Sequence, residues 1–348
     1  MEKVVVGMSG GIDSFVTALL LREKGYDVVG VSLELWEKND LTAVEKICRT
    51  LEIPLLCRNE REGFRQVVVE AFVRDYLSGC TPSPCCVCNS FVKWDALERA
   101  AAECGASRIA TGHYVRIRQA GGKYYVCRGV DARKDQSYFL YGVSQNILSK
   151  ALTPLGDYTK EEVRVWALSR GYEEVVRKKE SMSVCFLRGA DYRDFIRQCA
   201  GVDQQPGRIL SRSGQPIGQH NGLLNYTVGQ KRGMPLLDGE PMYVAEIDAD
   251  RNVIVADTKG GLYTRTLWVE EVVAVSPEDL QADDLTVKIR GIGLNPQGPA
   301  KITQIAEDKV RVDLSDPAWA VAPGQPVAFF RGDCVVGGGK AMKRRKLL

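Results

Sequence analysis

Cysteines in a short proline-rich segment form the first group of residues that could do chemistry. Residues 79–90 read Gly-Cys-Thr-Pro-Ser-Pro-Cys-Cys-Val-Cys-Asn-Ser, and either Asn89 or Ser90 could cap a helix that follows. We expect a loop that ends at this cap, which places Cys88 near a helix N-terminus, where partial positive charge stabilises a thiolate. The segment therefore predicts a reactive thiol at Cys88.

A second cysteine, Cys185, stands apart from this group. It follows the basic stretch Arg177-Lys178-Lys179 and lies in the sequence Ser183-Val184-Cys185-Phe186. Lysines close to a thiol lower its pKa because they favour the charged form. Cys185 is therefore a second candidate for a reactive thiol.

A serine- and glycine-rich turn after the first predicted strand forms the third group. Its residues are Gly7-Met8-Ser9-Gly10-Gly11-Ile12-Asp13-Ser14. Two glycines let the backbone turn closely around an anion, two serines offer hydroxyls, and the amides at the start of the next helix favour negative charge. The alternative is an ordinary Ser-Gly turn in which Asp13 caps the helix.

This turn differs from the commonest nucleotide-binding motifs. It lacks the Gly-Lys-Ser/Thr ending of a Walker loop and the spacing of a dinucleotide fingerprint. It resembles instead the PP-loop of N-type ATP pyrophosphatases, which cleave ATP to pyrophosphate and pass AMP to a carbonyl oxygen. The resemblance implies that this chain uses ATP.

The elements around these groups predict an α/β fold. Up to residue 115, short β-rich runs such as 4–6, 28–35 and 108–111 alternate with helical patterns, which indicates a Rossmann-like parallel sheet with ligands at the carboxyl ends of its strands. From residue 201, Gly- and Pro-containing turns separate short alternating strands. We predict a catalytic domain over 1–200, a small central β-rich linking module over 201–266 and a C-terminal β-barrel over 267–348.

Composition limits the classes of protein that fit. The chain has 348 residues, 45% of them apolar, a net charge of +3 and eleven cysteines. We see no signal peptide or apolar stretch that could span a bilayer, and we expect a soluble protein of the cytoplasm that does not act at a membrane. An odd number of cysteines in such a protein argues against a disulfide framework, so we expect thiols, metal ligands or redox groups. The basic tail, which includes Lys343 and Arg344, is weak evidence for binding to a nucleic acid.

Over essentially its whole length the chain resembles the tRNA-specific 2-thiouridylases of bacteria and organelles. Besides the PP-loop and Ser183-Val184-Cys185-Phe186, five ordered blocks carry the resemblance. They are Thr81-Pro82-Ser83-Pro84 with Cys88-Asn89, Ala110-Thr111-Gly112-His113-Tyr114, Lys134-Asp135-Gln136-Ser137-Tyr138-Phe139-Leu140, Thr227-Val228-Gly229-Gln230-Lys231-Arg232-Gly233, and Pro323-Gly324-Gln325.

The resemblance implies roles for individual residues. Gly7 to Ser14 would bind the ATP phosphates, with Leu33 and Gly112 near the adenosine, while Cys185 would carry a persulfide and Cys88 would be its nucleophilic partner. The residues implied to contact the target base or tRNA are Ser83, Pro84, Cys85, His113, Lys134, Asp135, Gln136, the stretch near Arg290, and Gln325. For His113, a hydrogen-bonded structural imidazole is an equal alternative.

At Cys85 the sequence departs from the family, in which many members carry an aspartate. An acidic role at this position is therefore in doubt. Cys85 and Cys88, with Cys80, Cys86 and Cys185, could instead hold a metal or an iron–sulfur cluster, although one Cys-x-x-Cys is a weak signal.

The implied reaction is the 2-thiolation of the wobble uridine, U34, of tRNA. ATP with Mg²⁺ would adenylate the C2 oxygen, and the persulfide on Cys185 would attack C2. Expected partners are tRNAs of the Lys, Glu and Gln type and a persulfide donor protein or cysteine desulfurase relay. Two alternatives stay open, namely a PP-loop synthetase that acts on a small metabolite and a metal-stabilised RNA-binding protein with a vestigial loop.

Overall fold

The computed structural model describes residues 1–38, 40–177, 184–291 and 293–343. They form two compact units. Unit 1 comprises Met1–Val68, Cys85–Phe186 and Asp333–Val336, and unit 2 comprises Val69–Pro84, Leu187–Gly332 and Gly337–Leu348. No helix among the described residues is both long enough and apolar enough to cross a lipid bilayer.

A parallel five-stranded sheet forms the centre of unit 1. Its strands are β1 (Lys3–Gly7), β2 (Asp27–Glu34), β3 (Leu55–Asn59), β4 (Arg108–Ala110) and β7 (Ala151–Leu152), in the order β3-β2-β1-β4-β7. Val4, Val5 and Val6 of β1 are fully buried, as expected for a central strand with both faces covered. The α/β fold class predicted from the sequence is confirmed.

Helices of unit 1 connect and cover these strands. They are α1 (Ile12–Glu23), α2 (Thr42–Thr50), α3 (Arg61–Phe64), α5 (Pro84–Cys88), α6 (Trp94–Cys104), α7 (Gln145–Lys150), α8 (Lys160–Leu168) and α9 (Glu173–Arg177). Two π-helical segments, Arg65–Val69 and Asn89–Lys93, follow α3 and α5. Helix α8 begins with a capping box between Thr159 and Glu162.

A hairpin that the sequence analysis missed follows β4. Strands β5 (Val115–Ala120) and β6 (Lys123–Arg128) are joined by Gly121 and Gly122, both with positive φ. Such a two-glycine turn is a recognised hairpin signal. The sequence analysis assigned no strand between residues 111 and 201, so this part of the prediction was incomplete.

The expectation that the chain has no structural disulfide is wrong. Cys127 on β6 is bonded to Cys334, and the two residues face each other as a cross-strand pair within unit 1. They lie 207 residues apart in sequence. Counting cysteines could not reveal this pair because only the fold brings the two strands together.

Unit 2 contains two helices and an antiparallel-rich set of β-strands. Helices α4 (Glu70–Leu77) and α10 (Tyr192–Ala200) pack through aromatic rings, with Tyr76 stacked on Tyr192 at a ring separation of 4.7 Å. Strands β8 (Gly207–Ser211), β9 (Pro216–His220), β12 (Tyr243–Asp248) and β13 (Val253–Asp257) form a four-stranded sheet, and β10 (Leu236–Leu237) pairs with β11 (Glu240–Pro241).

The last strands of the chain form the most extensive sheet. Their order is β15-β18-β19-β14-β17-β16, where β14 is Tyr263–Ala274, β15 Leu285–Lys288, β16 Ala300–Ala306, β17 Lys309–Trp319, β18 Pro326–Arg331 and β19 Cys334–Ala341. Strand β14 pairs antiparallel with β17 and β19. Phe329 and Phe330 on β18 are fully buried in this part of unit 2. The predicted change to β structure after residue 201 is confirmed.

Candidate active site

The PP-loop residues form a tight turn between β1 and α1. Gly10 has a φ of 74°, a conformation that favours glycine, and Gly11 precedes the first residue of α1. The Ser14 hydroxyl donates to the Gly11 carbonyl at 3.0 Å and accepts from the Ser9 backbone N–H at 3.3 Å. The first amides of a helix have no acceptor within the helix. The start of α1 therefore directs backbone N–H dipoles towards an anion, and the Ser9 and Ser14 hydroxyls lie in the same turn.

The loop lies at the position where an open α/β sheet binds its ligand. From β1 the chain proceeds through β2 to β3 on one side of the sheet, and then returns to place β4 on the other side of β1. The reversal opens a crevice between the carboxyl ends of β1 and β4. Gly112 follows β4, and a Cβ atom there would lie 2.9 Å from the backbone carbonyl carbon of Asp13. Leu33 lies near the carboxyl end of β2.

A buried lysine that the sequence analysis missed holds Asp13. The Nζ of Lys160 lies 2.7 and 2.9 Å from the two carboxylate oxygens, and the hydroxyl of Tyr114 donates to one of them at 2.7 Å. Lys160 is only 5% exposed. Asp13 lies inside the first turn of α1, and the N-cap is Gly11. The alternative in which Asp13 caps the helix is therefore wrong.

Lys160 is positioned by the start of α8. The Thr159 side chain accepts from the Glu162 backbone N–H and the Glu162 carboxylate accepts from Thr159, which fixes Lys160 as the first helical residue. The Lys160 backbone N–H donates to a carboxylate oxygen of Asp131 at 3.0 Å, and this bond is the first cause of the lowered pKa of Asp131. The capping box is visible in the sequence, but the direction of the Lys160 side chain is not.

Cys88 does not lie at a helix N-terminus, which corrects the prediction made from its neighbours. The helix begins at Pro84, where a proline suits the first turn, and Cys88 is the last residue of α5 before the π-helical segment Asn89–Lys93. Cys88 is buried, and this burial raises its pKa to about 11, the opposite of the expected direction.

Cys185 is an exposed thiol that a buried neighbour anchors. Phe186 packs against Phe64 of α3 and against Trp36, with ring centroids 5.8 and 6.2 Å apart. The predicted effect of Lys178 and Lys179 on the pKa of Cys185 stays a prediction, because residues 178–183, which include Ser183, lie outside the described residues. Nearby protein atoms desolvate the thiol and raise the pKa of Cys185.

Three cysteines of unit 1 are electrostatic neighbours. Negative charge on Cys185 raises the pKa of both Cys85 and Cys88, after the larger effect of burial. All three are free thiols. The described residues contain no group of three or more His, Cys, Asp or Glu side chains placed to hold a metal ion. The iron–sulfur hypothesis therefore has no support from the described residues, and cooperation between Cys88 and Cys185 stays a prediction.

His113 is a buried and neutral imidazole. It is 9% exposed, its Nδ1 lies 2.8 Å from the Thr111 hydroxyl, and its ring stacks on Trp94 at 5.9 Å. Burial, and then the positive charge of Lys93, lower its pKa to about 3. These contacts agree with the structural alternative, and a contact of His113 with nucleotide or tRNA stays a prediction.

Residues 134–136 lie in unit 1 before the short 3₁₀ helix Ser137–Leu140. The carboxylate of Asp135 accepts from the backbone N–H and hydroxyl of Ser137, and the side chain of Gln136 accepts from the Tyr114 backbone N–H at 2.9 Å. Lys134 donates its backbone N–H to the Asp131 carbonyl. This turn is thus tied to the segment that carries the Asp13 partner Tyr114. Its contact with tRNA stays a prediction.

The other predicted tRNA residues belong to unit 2. Arg290 donates to the backbone carbonyls of Trp319 and Ala320 and lies over the Trp319 ring, so its guanidinium already has structural partners. Gln325 carries a buried Oε1 without a hydrogen-bond partner among the described residues. The turn that contains it contacts the segment of Ser83, because the Thr81 backbone N–H donates to the Pro323 carbonyl at 2.7 Å.

The basic tail is only partly described. Lys340 forms an ion pair with Glu271 at 2.7 Å, and Lys343 donates to the Ser78 carbonyl. Arg344, Arg345 and Lys346 lie outside the described residues. The described lysines of the tail thus have partners within unit 2.

A parallel sheet with a PP-loop after its first strand defines a nucleotide-binding protein of the HUP class. The chain matches the family models described as tRNA methyl transferase HUP domain (residues 2–189), tRNA methyl transferase PRC-barrel domain (193–257) and aminomethyltransferase beta-barrel domain (264–341).

Curated relatives match nearly the whole chain. A tRNA-specific 2-thiouridylase MnmA of Carboxydothermus hydrogenoformans is 39% identical and covers 99% of this chain and 98% of its own length. Proteins of the same name from Lachnoclostridium phytofermentans and Pelotomaculum thermopropionicum are 38% and 40% identical, and cover 99% and 97% of this chain and 100% and 96% of their own lengths. The chain belongs to the tRNA-specific 2-thiouridylase family.

Proposed function

We propose that this chain is an ATP-dependent sulfurtransferase that replaces the C2 oxygen of the wobble uridine, U34, of tRNA with sulfur. One observation carries the proposal. Unit 1 combines a PP-loop at the switch point of its sheet with two free thiols, Cys88 and Cys185, and negative charge on Cys185 raises the pKa of Cys88. Membership of the 2-thiouridylase family over the whole chain supports the same reaction.

The first half-reaction activates the uridine. The C2 carbonyl oxygen attacks the α-phosphorus of ATP, and pyrophosphate leaves, so that O2 carries AMP and becomes a good leaving group. The α1 amides and the Ser9 and Ser14 hydroxyls can stabilise phosphate charge. Lys160 fixes the Asp13 carboxylate in this cradle. We expect ATP to enter as its Mg²⁺ complex, and we assign that ion no ligand from the protein.

The second half-reaction transfers sulfur. A donor protein transfers the outer sulfur of its own persulfide to the thiol of Cys185. The terminal sulfur of the Cys185 persulfide then attacks C2, and AMP departs with the original oxygen. The Cys88 thiolate then attacks Sγ of Cys185. The bond between Sγ of Cys185 and the sulfur on uridine C2 breaks, the thiocarbonyl is released and a Cys88–Cys185 disulfide forms. A thiol reductant supplies the two electrons that return both residues to thiols.

Several features of the chain suit a tRNA substrate. A base must leave the anticodon stack to reach a buried thiol such as Cys88. Gln325 offers an acceptor atom without a partner among the described residues, and the segment 81–84 lies against its turn. We propose that Ser83, Pro84 and Cys85 contact the base and that residues 134–136 contact the tRNA. The substrates are tRNAs of the Lys, Glu and Gln type, and the reaction belongs to the cytoplasm.

Mass spectrometry of tRNA after reaction with ATP and a persulfide donor tests this function. We expect a gain of sulfur in place of oxygen at the wobble uridine, dependent on ATP, and none in a tRNA that carries cytidine there. The exposed Cys57 provides a matched control, because Cys57→Ser removes a free thiol of unit 1 outside the proposed pair. Thiolation by Cys57→Ser but not by Cys185→Ser supports the proposal.

Exchange of ATP with pyrophosphate separates the alternative functions. Our proposal requires exchange that depends on tRNA. Exchange without tRNA, stimulated by a small metabolite, would identify a PP-loop synthetase. No exchange, with tRNA binding intact, would identify an RNA-binding protein whose loop is vestigial.

A further inference from the structure

The β5–β6 hairpin of unit 1 carries a concentrated positive charge. From Val115 to Arg128 its sequence contains four basic residues and no acidic one, whereas the whole chain has a net charge of only +3. The basic residues are Arg116, Arg118, Lys123 and Arg128. None of them belongs to the proposed catalytic site, so this charge has no role in the reaction described above.

Three of these cations share one face of the hairpin. Arg116 and Arg118 point to the same side of β5, because successive residues of a strand point to opposite faces. Lys123 of β6 lies opposite Ala120, two residues beyond Arg118, and so shares that side. We name Arg116, Arg118 and Lys123 the basic face. The other face of the hairpin includes Val126, which is buried.

The end of the basic face nearest the turn is open to solvent. Arg118 and Lys123 are both exposed. A Cβ atom added at Gly121 or Gly122 in the turn would meet no other atom within 4 Å. In the ranges that the structure describes, neither Arg118 nor Lys123 forms an ion pair. A large anionic partner could therefore reach both cations without displacing a carboxylate.

Arg116 has structural partners instead. Its Nε donates to the Arg128 carbonyl at 2.8 Å, and a guanidinium nitrogen lies 4.0 Å from a carboxylate oxygen of Asp333. These contacts tie Arg116 to the neighbouring strand and to the residue before β19. We therefore assign an external ligand only to Arg118 and Lys123.

The hairpin adjoins the turn that we propose to contact tRNA. Tyr114, directly before β5, donates its backbone N–H to the Gln136 side chain at 2.9 Å. The Gln136 backbone N–H donates to the Tyr114 carbonyl at 3.5 Å. The start of the hairpin is thus hydrogen-bonded to residues 134–136. A surface for tRNA that includes this turn can continue onto the basic face.

We propose that the basic face binds the phosphate backbone of tRNA through Arg118 and Lys123. Lysine and arginine side chains neutralise phosphates and release counterions, which adds affinity without reading sequence. The inference rests on the proposed function for the identity of the RNA, and it adds a surface outside the site where the uridine reacts. Residues 119–122 at the tip include no large apolar side chain that would enter a bilayer, which favours RNA over a lipid surface.

Filter binding of tRNA at several salt concentrations tests the proposal without catalysis. Each phosphate contact contributes about 0.7 to 0.9 to the slope of log affinity against log salt concentration. Arg118→Gln/Lys123→Gln should therefore reduce that slope by about 1.4 to 1.8. From about 50 to about 200 mM salt, the ratio of wild-type to variant affinity should shrink about 7- to 12-fold. The loss should be equal for tRNAs with uridine or cytidine at the wobble position, because phosphate contacts carry no sequence information.

Further variants separate the hairpin from net charge. Lys24→Gln/Lys46→Gln is the matched control, because it removes the same charge from two exposed positions of unit 1 outside the hairpin. It should leave the salt slope unchanged. Arg118→Lys/Lys123→Arg keeps both charges and should bind tRNA as the wild type does. Circular dichroism verifies the fold of each variant. If Arg118→Gln/Lys123→Gln does not fold, Lys123→Gln alone should reduce the slope by about half as much.

The outcomes distinguish this inference from the proposed function. An unchanged salt slope in the folded hairpin variants overturns the basic face, and so does an equal change in Lys24→Gln/Lys46→Gln. Normal tRNA binding with loss of binding to phosphatidylserine vesicles would assign the face to a lipid surface instead. If the wild type thiolates tRNA and the hairpin variant binds it normally, the proposed function stands and the inference fails. The expected loss of tRNA binding, in a protein whose wild type thiolates no tRNA, would support the surface and contradict the function.

Discussion

Asp13 shows how a residue in a recognisable motif can depend on partners that no motif reveals. Its place in the PP-loop is evident from the sequence, yet its carboxylate is held by Lys160, which lies 147 residues further along the chain, and by Tyr114. The capping box identifies where α8 begins, but not that the first helical side chain turns inward. Only tertiary packing determines that direction.

Replacing Lys160 with methionine should impair ATP use. The change removes a charge-assisted contact worth about 1.5–3 kcal/mol, so we expect roughly a 10- to 100-fold loss in the rate of tRNA-dependent ATP–pyrophosphate exchange. Lys46→Met is the matched control, because Lys46 pairs with Glu174 at an exposed site. Exchange at the normal rate in Lys160→Met would show that Asp13 needs no partner.

His113 should make the protein sensitive to acid. Its pKa is lowered to about 3 in the folded state against an ordinary value near 6.5, so below pH 6.5 the unfolded chain binds a proton that the folded chain does not. The stabilisation is therefore complete above pH 6.5 and is lost as pH falls towards 3. Between pH 7 and 5 we expect this one group to lower the unfolding free energy by about 2 kcal/mol.

Denaturant unfolding at several pH values measures this effect. His113→Gln cannot titrate, and its unfolding free energy should fall less steeply between pH 7 and 5 than that of the wild type. The pH slope of His220→Gln gives a comparison from unit 2, because burial also lowers the pKa of the His220 imidazole. Equal pH slopes for His113→Gln and the wild type would mean that His113 is protonated while the protein is folded.

At the scale of elements, the parallel sheet was predictable and the helix that carries Cys88 was not. Short valine-rich strands such as β1 and β2, separated by helical segments, predict a parallel sheet with both faces covered. By contrast, Asn89 and Ser90 suggested a cap, whereas the helix starts five residues earlier at Pro84 and includes a π turn. A π turn has no clear sequence signature, so both the start of the helix and the burial of Cys88 escaped prediction.

The close approach of the segment after β4 to the PP-loop gives a test at this scale. Gly112→Ala adds a Cβ atom 2.9 Å from the backbone of Asp13, and neither backbone segment can yield cheaply. We expect the turn to shift and ATP–pyrophosphate exchange to fall at least tenfold. Gly63→Ala, in α3 with no atom within 4 Å of the added carbon, should leave exchange unchanged. Full exchange in Gly112→Ala would mean that this contact does not shape the loop.

For the whole molecule, the resemblance in separate motifs indicated a family that the full-length relatives confirm, while the boundaries of its domains stay a prediction. The disulfide is the clearest feature that sequence could not supply. Eleven cysteines allow many pairings, and the bonded pair is the one that the fold aligns across two strands.

The disulfide predicts a specific thiol count. Alkylation of the denatured, unreduced protein should label the nine free cysteines, and prior reduction should expose Cys127 and Cys334 as well. Reduction should lower the unfolding free energy by about 2–4 kcal/mol. The double variant Cys127→Ser/Cys334→Ser should lose this response to reductant. Eleven labelled cysteines without reduction would contradict the bond.

The central claim is that Cys185 carries the transferable sulfur and Cys88 releases it, and locating that sulfur tests it most directly. Enzyme loaded from a persulfide donor carrying isotopically labelled sulfur is trapped by alkylation, and its cysteine peptides are analysed by mass spectrometry. We predict label on Cys185 in the wild type and in Cys88→Ser, none in Cys185→Ser, and a stalled tRNA adduct on Cys185 in Cys88→Ser when ATP is present. Label on Cys88 alone, or normal tRNA thiolation by Cys185→Ser, would contradict the account.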